Sequence, residues 1–353
     1  MAKIIGLGEW FPSTIRTNAA WSPELIDTFK KHLERALLDI VSADSKMDPI
    51  SEENFGREMS DPFVGTIERR VVNPTDKSYD AEIAAAEMAI KESGIDPTLI
   101  GACYSYSFFS DMPHLTCAAH ILKHFGAENA FGCGFDGACS SALVQKMAAK
   151  ALVDSGQTKY VLITQSNFFT KGLMLEHPAA PSVGDAATSI LIGPDDHEGH
   201  KILNVHARSH GDHYRSVGWR RKDDDGNWAA PGGAHYLGSF NSDGARELVQ
   251  TTVKMGVKTV TSCLKEIAMT PADLSFFVSM SPRKWIPGAI AHYLGLTEHQ
   301  TVETFDKYAH LGPCGALVNL MEARRLNLLN KGDKVGIYSQ GAGFTRAAAI
   351  IEW

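Results

Sequence analysis

Short apolar segments alternate with longer helical patterns along almost the whole chain of 353 residues. We predict strands over 3–8, 102–108, 131–138, 160–166, 189–193, 201–207, 275–280, 301–305, 334–339 and 346–353. We predict helices over 23–43, 80–93, 115–125, 140–156, 242–267 and 315–332. This alternation is typical of an α/β fold with buried sheets. The order of elements is similar in two halves, which we divide as 1–195 and 196–353.

Two segments lack a clear period and are predicted to be loops. Residues 44–61 are polar, and residues 210–241 are rich in Gly, Asp, His and Trp. Loops as long as the second segment usually have a function of their own. We therefore interpret 210–241 as a lid-like insertion that contributes to a substrate pocket.

Composition narrows the classes of function. The formal net charge is −7 and there is no long basic run, which argues against a nucleic-acid surface. No stretch of about 18 apolar residues is present, so we expect no membrane span. The first residues, MAKIIGLGEWFPS, resemble a strand and not a signal peptide. We therefore expect a cytoplasmic protein whose six cysteines are reduced thiols.

One cysteine stands out as a candidate nucleophile. Cys139 follows the glycine-containing turn GFDGA and opens the helical pattern SSALVQKMAAKALVDSG. The unpaired N–H groups at a helix start favour a thiolate and lower the pKa of a thiol there. The backbone N–H of Cys139 can also stabilise an oxyanion beside it. The alternative is an inert buried cysteine, which is the interpretation we give to Cys133.

Five segments in the same order resemble ketoacyl-acyl-carrier-protein synthase III and its relatives in the thiolase superfamily. GACSSAL at 137–143 is similar to the active-site segment of that family. PSVGDAATSILIG at 181–193 resembles its GDGA segment, and DLSFFVSMSP at 273–282 takes the place of LVPHQAN. ETFDKYAHLGPCGA at 303–316 is similar to DRHGNTSAAS. SQGAGFTRAAAII at 339–351 is similar to GGGFTWGSALV.

The resemblance implies the five-layered αβαβα thiolase fold, built from two similar halves and normally dimeric. It implies that Cys139 accepts an acyl group from a CoA or carrier-protein thioester, with no other cofactor. In the family a malonyl thioester is then decarboxylated and attacks the acyl group, with help from a His and an Asn. An acyl carrier protein and a small-molecule acceptor are the partners that it implies.

The chain departs from the family at both assisting residues. The family His falls at Met280, whose side chain cannot act as a base. The family Asn falls at His310, and an imidazole is the usual general base near neutral pH. We therefore expect a Cys139–His310 pair, although His310 as a structural residue in a turn stays the alternative.

Other site positions follow from the same resemblance. The second oxyanion donor, a backbone N–H in the family, falls at Ala342. Gln340 stands where the family often has Phe, which suggests a different acceptor or second step. Ser281 and Asp306 are candidates to orient His310.

Further residues have weaker assignments. His206, His210 and His213 lie in a short span, and we prefer pocket lining by His210 or His213 over a metal site. Arg283 and Lys284 follow a predicted strand where the family has residues that dock the acidic carrier protein. Arg69 and Arg70 lie near the family's pantetheine access region, and all four cations have a solvated surface as the alternative. The Trp that stacks on adenine in many relatives is absent near Ser60, which favours a carrier protein as donor.

Three functions are consistent with these residues. The first is an acyltransferase of a biosynthetic pathway, of the specialised-metabolite kind, that moves an acyl group from Cys139 to an acceptor. The second keeps decarboxylative carbon–carbon bond formation, as in starter-unit priming. The third is a non-catalytic subunit of a heterodimeric synthase, which the lost family His favours and the retained Cys139 opposes.

Overall fold

The computed structural model describes residues 1–40, 45–112, 115–221 and 235–353. Its helices are α1 (Pro23–Ile40), α2 (Pro49–Glu58), α3 (Ser78–Ser93), α4 (Ala118–His124), α5 (Ser141–Asp154), α6 (Phe169–Gly172), α7 (Ser242–Lys265), α8 (Ile286–Tyr293), α9 (Phe305–Tyr308) and α10 (Gly315–Arg325). Its strands are β1 (Lys3–Trp10), β2 (Thr14–Thr17), β3 (Glu68–Val71), β4 (Ile100–Phe108), β5 (Phe131–Gly134), β6 (Tyr160–Phe168), β7 (Asp185–Gly193), β8 (His200–Ser209), β9 (Gly218–Arg221), β10 (His235–Gly238), β11 (Phe276–Ser279), β12 (Lys334–Gly341) and β13 (Thr345–Glu352).

The main sheet repeats one pattern of strand pairing in its two halves. Its order is β11-β12-β13-β8-β1-β7-β6-β4-β5. In the first half β4 and β6 are parallel, and the β6–β7 and β7–β1 pairs are antiparallel. In the second half β11 and β12 are parallel, and the β12–β13 and β13–β8 pairs are antiparallel. This repetition matches the expectation of two similar halves, whereas the exact division at residue 195 stays a prediction.

The helices form three layers around the two halves of the sheet. Helix α5 packs on β6 and β7 from one half and on β8, β12 and β13 from the other, so it lies between them. Helix α10 packs on β11 and β12 in the same central layer. Helices α3 and α4 cover the outer face of the first half, and α7 and α8 cover that of the second. The result is the five-layered thiolase fold that the sequence predicts.

The packing of α3 on β1 explains the glycines of the first strand. A Cβ on Gly6 would lie 2.0 Å from the carbonyl oxygen of Ala89, and one on Gly8 would lie 1.9 Å from that of Ala85. Both alanines belong to the small-residue face of α3 and are fully buried. Helix and strand therefore approach more closely than any side chain on β1 would permit.

The prediction of a loop over 44–61 was wrong. Helix α2 begins after Asp48, whose carboxylate accepts a hydrogen bond of 3.0 Å from the backbone N–H of Ser51. Pro49 occupies the first helical turn, where its missing N–H costs nothing. Phe55 is buried and packs in a cluster with residues of α1 and with Phe305. A capping Asp followed by Pro was a helix signal that the polar composition concealed.

Three other predicted boundaries also change. Thr301 makes only an isolated bridge to Phe277, so the predicted strand over 301–305 is absent among the described residues. The helix predicted over 315–332 ends at Arg325, because Asn327 adopts a left-handed conformation with φ +54°. Strands β9 and β10 pair with each other inside the predicted insertion, of which 222–234 lies outside the described residues. No helix in the described ranges is long and apolar enough to cross a membrane.

Candidate active site

Cys139 lies in a tight turn between β5 and α5. The turn is closed by hydrogen bonds from the Ser140 hydroxyl to the Gly137 carbonyl (2.7 Å) and from the Gly137 N–H to the Ser141 hydroxyl (2.9 Å). Ala138 adopts φ +48°, a left-handed conformation that L-residues rarely adopt, and its N–H donates to Asp136. Cys139 is in a short 3₁₀ turn, two residues before the first residue of α5.

The backbone of His310 forms a short parallel bridge with Val183, and this bridge holds the imidazole near Cys139. The backbone N–H of His310 donates to the Ser182 carbonyl (2.9 Å), and its own carbonyl accepts from the Gly184 N–H (3.1 Å). These partners belong to the PSVGDA segment that precedes β7. The Phe169 ring lies 5.7 Å from the imidazole, measured between ring centroids. Backbone contacts between the two halves therefore fix the position of this imidazole.

The structure brings the two predicted catalytic side chains together. The distance between Cys139 Sγ and His310 Nε2 is 3.8 Å, which is a hydrogen-bond distance for sulfur. His310 Nδ1 makes no hydrogen bond of regular geometry with any described residue. The imidazole can therefore accept the thiol proton at Nε2 when Nδ1 carries the hydrogen.

Burial controls the protonation of this pair. Desolvation raises the pKa of the Cys139 thiol to about 12; its own backbone N–H opposes that shift and Asp136 adds to it. The sequence-based expectation of a lowered thiol pKa was therefore wrong, because burial outweighs the helix start. Desolvation also lowers the pKa of His310 to about 4, against an opposing contribution from the Ser281 backbone. At neutral pH both groups are uncharged, so the thiolate forms only as the proton moves to His310.

These protonation states predict a flat pH profile for acylation of Cys139. With acyl-pantetheine as donor, the single-turnover rate should change less than about threefold between about pH 5 and about pH 9 and should fall towards pH 4, where His310 becomes charged. Acylation of free N-acetylcysteamine by the same donor is the control and should rise about tenfold per pH unit below its thiol pKa. A similar rise for the protein would contradict a neutral Cys–His pair.

A partly open cavity of about 310 Å³ surrounds the pair. Met280, Gln340 and Ala342 line it together with Cys139 and His310, as the sequence predicts for a pocket. The Gln340 amide is held by Thr252 of α7, with Nε2 to Oγ1 at 2.9 Å. Met280 is 3% exposed and presents its thioether to the same space. The reaction space is therefore largely apolar apart from the imidazole and the Gln340 amide.

The other candidates to orient His310 are placed elsewhere. The Ser281 hydroxyl accepts a hydrogen bond of 3.2 Å from Asn319 Nδ2, so only its backbone acts on the imidazole. Asp306 lies in α9, where its carbonyl accepts from the Ile67 N–H (2.9 Å), and it does not line the cavity. Its assignment as an orienting group was wrong, because His310 Nδ1 makes no hydrogen bond with its carboxylate. His210 also lies outside the lining, with its N–H bonded to the Phe344 carbonyl at 2.8 Å.

Comparison with known proteins agrees with this geometry. The model of the family "3-Oxoacyl-[acyl-carrier-protein (ACP)] synthase III" matches residues 135–211, and the model of its C-terminal part matches residues 264–353. The matched ranges contain both Cys139 and His310. In both ranges the chain is similar to the ketoacyl synthase III family of the thiolase superfamily. These similarities support a transferase that is ketosynthase III-like.

Individual relatives are distant in sequence. The β-ketoacyl-[acyl-carrier-protein] synthase III of Natranaerobius thermophilus is 24% identical over 306 residues, covering 84% of this chain and 92% of its own length. The corresponding protein of Helicobacter pylori is 26% identical over 292 residues, covering 81% and 87%.

Solved structures share the whole fold. The 3-oxoacyl-[acyl-carrier-protein] synthase III from Aquifex aeolicus is 18% identical, with a TM-score of 0.77 and complete coverage of both chains. A priming β-ketosynthase of a polyketide biosynthetic pathway gives 0.79 at 19% identity and covers 100% of this chain and 96% of its own. Xanthomonas campestris OleA, solved with bound lauric acid and lauroyl-CoA, gives 0.74 at 16% identity, with 100% and 99% coverage.

Two of the four predicted surface cations of this ketosynthase III-like chain are committed to internal contacts. Arg69 is fully buried, and its guanidinium donates to the Pro181 carbonyl and to Asn18 Oδ1, so it does not meet substrate. Arg283 lines the cavity and pairs with the buried Glu58 at 3.1 Å. Lys284 is half-buried, 3.9 Å from Glu303, and carrier docking there stays a prediction.

The remaining sequence candidates are placed as follows. Arg70 donates to the Pro12 carbonyl at 3.3 Å, and Ser60 is exposed at the end of α2. The three histidines of 206–213 are divided: His206 bonds Glu266 at 2.7 Å, whereas the His213 ring packs on Phe344 with 5.8 Å between centroids. They do not converge on one point, and no group of three metal-ligating side chains occurs in the described ranges.

Aromatic residues that the sequence did not single out form much of the cavity wall. Trp219 of β9 lines it and packs against Phe109 with 4.7 Å between ring centroids. Trp285 also lines it and donates to Glu58 Oε2 at 3.2 Å. The further aromatic lining residues are Phe55, Phe108, Phe169 and Phe344. The hairpin β9–β10 therefore covers the cavity, which agrees with the predicted pocket role of the insertion.

Proposed function

We propose that this ketosynthase III-like protein is an acyltransferase that carries an acyl group on Cys139 and transfers it to an acceptor activated by His310. The observation that supports this proposal is the 3.8 Å contact between Sγ and Nε2 in a largely apolar cavity. A neutral imidazole beside a neutral thiol is suited to accept the thiol proton and later that of an acceptor hydroxyl or amine.

The reaction has two half-reactions. In the first, the Cys139 thiol loses its proton to His310 and attacks the thioester carbonyl, and the CoA or carrier-protein thiol leaves with that proton. In the second, His310 removes a proton from the acceptor, which attacks the acyl-Cys139 carbonyl and releases the thiol. Backbone N–H groups of Cys139 and Ala342 stabilise the oxyanion in both steps. No cofactor is needed, and an acyl carrier protein and a homodimeric assembly belong to this proposal.

Met280 favours transfer over decarboxylative condensation. Decarboxylation of a malonyl thioester leaves an enolate, which the family's His and Asn steady as paired hydrogen-bond donors. Here the first of these positions carries a thioether that lines the cavity and donates no hydrogen bond. His310 alone provides one side-chain donor at the opposite position. The intact Cys–His contact also argues against a non-catalytic subunit.

The proposal is tested by intact-protein mass spectrometry after incubation with acyl-CoA thioesters of several chain lengths. The wild type should gain one acyl mass, and Cys139→Ala should gain none. Cys133→Ala is the matched control, because Cys133 is a partly exposed cysteine of β5 outside the cavity lining, and its variant should still be acylated. An adduct of equal yield on Cys139→Ala, or none on the wild type, would show that Cys139 does not carry the acyl group.

A further inference from the structure

Arg346 is a buried cation without a matching anion. It lies near the start of β13 and is fully buried. Its Nε, Nη1 and Nη2 atoms make no hydrogen bond of regular geometry with any described residue. Arg69 is equally buried, yet its guanidinium donates to the carbonyls of Pro181 and Arg16 and to Asn18 Oδ1. The chain therefore satisfies one buried guanidinium with its own atoms and leaves the other open.

The sheet register adds a second cation to the same face. Across the antiparallel pairs Arg346 is opposite Gln340 on β12 and opposite Arg208 on β8. Directly opposite residues share a face of the sheet, and like charges there destabilise it. The hydrogen bond from Gln340 to Thr252 shows that this face is the one that α7 covers. Arg208 is exposed and Glu266 acts on it through space, whereas no carboxylate in the described ranges lies at hydrogen-bond distance from the buried Arg346 guanidinium.

The acidic and hydroxyl groups nearest to Arg346 do not supply an anion. Glu247 acts on Arg346 only through space, and its exposed carboxylate lies 3.7 Å from Lys46 Nζ. The Tyr338 hydroxyl lies close to the guanidinium, but it is neutral and donates to Gln340 Oε1 at 3.1 Å. A guanidinium that is removed from water without an anion is strongly unfavourable.

Two further polar groups without partners lie in the turn 213–216, whose His213 ring packs on Phe344 beside Arg346. Ser216 is fully buried and its Oγ has no hydrogen-bond partner among the described residues, and the same is true of Nδ1 of the buried His213. The two residues belong to one turn, in which the Ser216 N–H donates to the His213 carbonyl (3.1 Å). The Phe344 ring packs on two of these residues, with its centroid 5.3 Å from Arg346 Cζ and 5.8 Å from the centroid of the His213 ring.

This set of groups adjoins the wall of the Cys139 cavity. Phe344, Gln340 and Thr252 all line that cavity. Phe344 packs on Arg346, Gln340 is opposite Arg346 in the sheet, and Thr252 of α7 bonds Gln340. In the C-terminal motif Arg346 stands where the family sequence GGGFTWGSALV has Trp. An apolar group of the family motif is thus replaced here by a buried cation beside the reaction space.

We propose that Arg346, His213 and Ser216 form an anion subsite that binds a carboxylate of the substrate beside the Cys139 cavity. The planar guanidinium pairs with both carboxylate oxygens, and Nδ1–H of a neutral imidazole and the Ser216 hydroxyl complete the hydrogen bonds. This inference rests on the proposed function for its reaction context. It specifies the substrate class: a group that carries a carboxylate, either at the end of the acyl chain or on the acceptor.

Ligand binding to the Cys139→Ala protein tests whether the carboxylate belongs to the acyl chain, because this variant binds acyl-CoA without being acylated. Calorimetry should give adipoyl-CoA an affinity about 10- to 100-fold higher than that of hexanoyl-CoA, as expected for a charge-assisted pair. Adding Arg346→Gln should remove the difference, and Arg346→Lys should retain part of it. Arg324→Gln is the control, because Arg324 pairs with Glu92 at the far end of α10.

The rate of deacylation tests whether the carboxylate belongs to the acceptor. Wild-type protein loaded with a hexanoyl group should lose it about 10- to 100-fold faster to 6-hydroxyhexanoate than to hexan-1-ol if the carboxylate belongs to the acceptor. Arg346→Gln should abolish that preference. A preference in either arm that depends on Arg346 supports the subsite and identifies the source. No preference in both arms, or one that survives Arg346→Gln, would overturn it.

Stability provides an independent readout. Arg346→Gln should raise the Tm of the ligand-free protein because it removes an unpaired buried charge, whereas Arg69→Gln should lower it because it breaks satisfied hydrogen bonds. A larger loss of stability for Arg346→Gln than for Arg69→Gln would make Arg346 a structural group and overturn the proposal. The proposed function and the subsite can fail separately. If the wild type forms no acyl adduct, but Cys139→Ala still binds adipoyl-CoA more tightly than hexanoyl-CoA and loses that preference with Arg346→Gln, the proposed function fails and the subsite stands.

Discussion

Replacing His310 by alanine is expected to slow acylation of Cys139 by about 10²- to 10⁴-fold, the usual contribution of a positioned general base. The thiol has a pKa of about 12, so at neutral pH almost none of it is thiolate unless a base accepts its proton. His310 Nε2, at 3.8 Å, is the side-chain base that the described structure places within reach of Sγ. Quenched single-turnover reactions, read by intact mass, give the rate directly.

Two comparisons separate a chemical role of His310 from a structural one. His299→Ala removes an exposed imidazole at the surface and should leave the acylation rate unchanged. Added imidazole should restore part of the rate of His310→Ala, because it can occupy the space that the side chain leaves in the cavity. Acylation of His310→Ala at the wild-type rate would show that another group activates Cys139.

The identity of the catalytic pair could be predicted from sequence, but its electrostatics could not. Cys139 and His310 lie 171 positions apart in the chain, and only the ordered family motifs relate them. The local pattern around Cys139 indicates a helix start, which favours a thiolate. Burial of the thiol in the folded protein reverses that shift, and burial depends on contacts that no local pattern contains.

Contacts between distant parts of the chain also explain the other differences between the sequence-based predictions and the structure. The α/β class and most strands follow from apolar alternation, because buried strands carry their own signal. Helix α2 was missed because its single buried anchor, Phe55, packs on α1 and Phe305, which are distant in sequence. Arg346 gave no local signal, since its missing partners become visible only when β8, β12 and α7 surround it. Asp306 appeared close to His310 in sequence, yet His310 Nδ1 makes no hydrogen bond with its carboxylate.

Replacing Gly341 by alanine is the second change with a large expected effect. Gly341 ends β12, and a Cβ there would lie 2.0 Å from the Gly137 carbonyl oxygen and 2.8 Å from the Ser140 hydroxyl. Both belong to the turn that carries Cys139, so the turn or the strand end has to move. A displacement of about 1 Å costs about 100-fold in rate when it separates reacting groups. Acylation of Cys139 should fall by at least about that factor.

Gly336→Ala is the matched control, because Gly336 lies on the same strand and its added Cβ would have no neighbour closer than 3.4 Å. That variant should keep nearly the wild-type acylation rate, so a loss confined to Gly341→Ala is a property of position and not of the strand. Thermal unfolding of both variants should show only a moderate loss of stability for Gly341→Ala, about 1–3 kcal/mol, as for other overpacked sites. Acylation at the wild-type rate in Gly341→Ala would mean that the close contact between the end of β12 and the Cys139 turn does not set the reactive geometry. The expected loss would instead show that β12, from the second half of the fold, positions the nucleophile carried by the first.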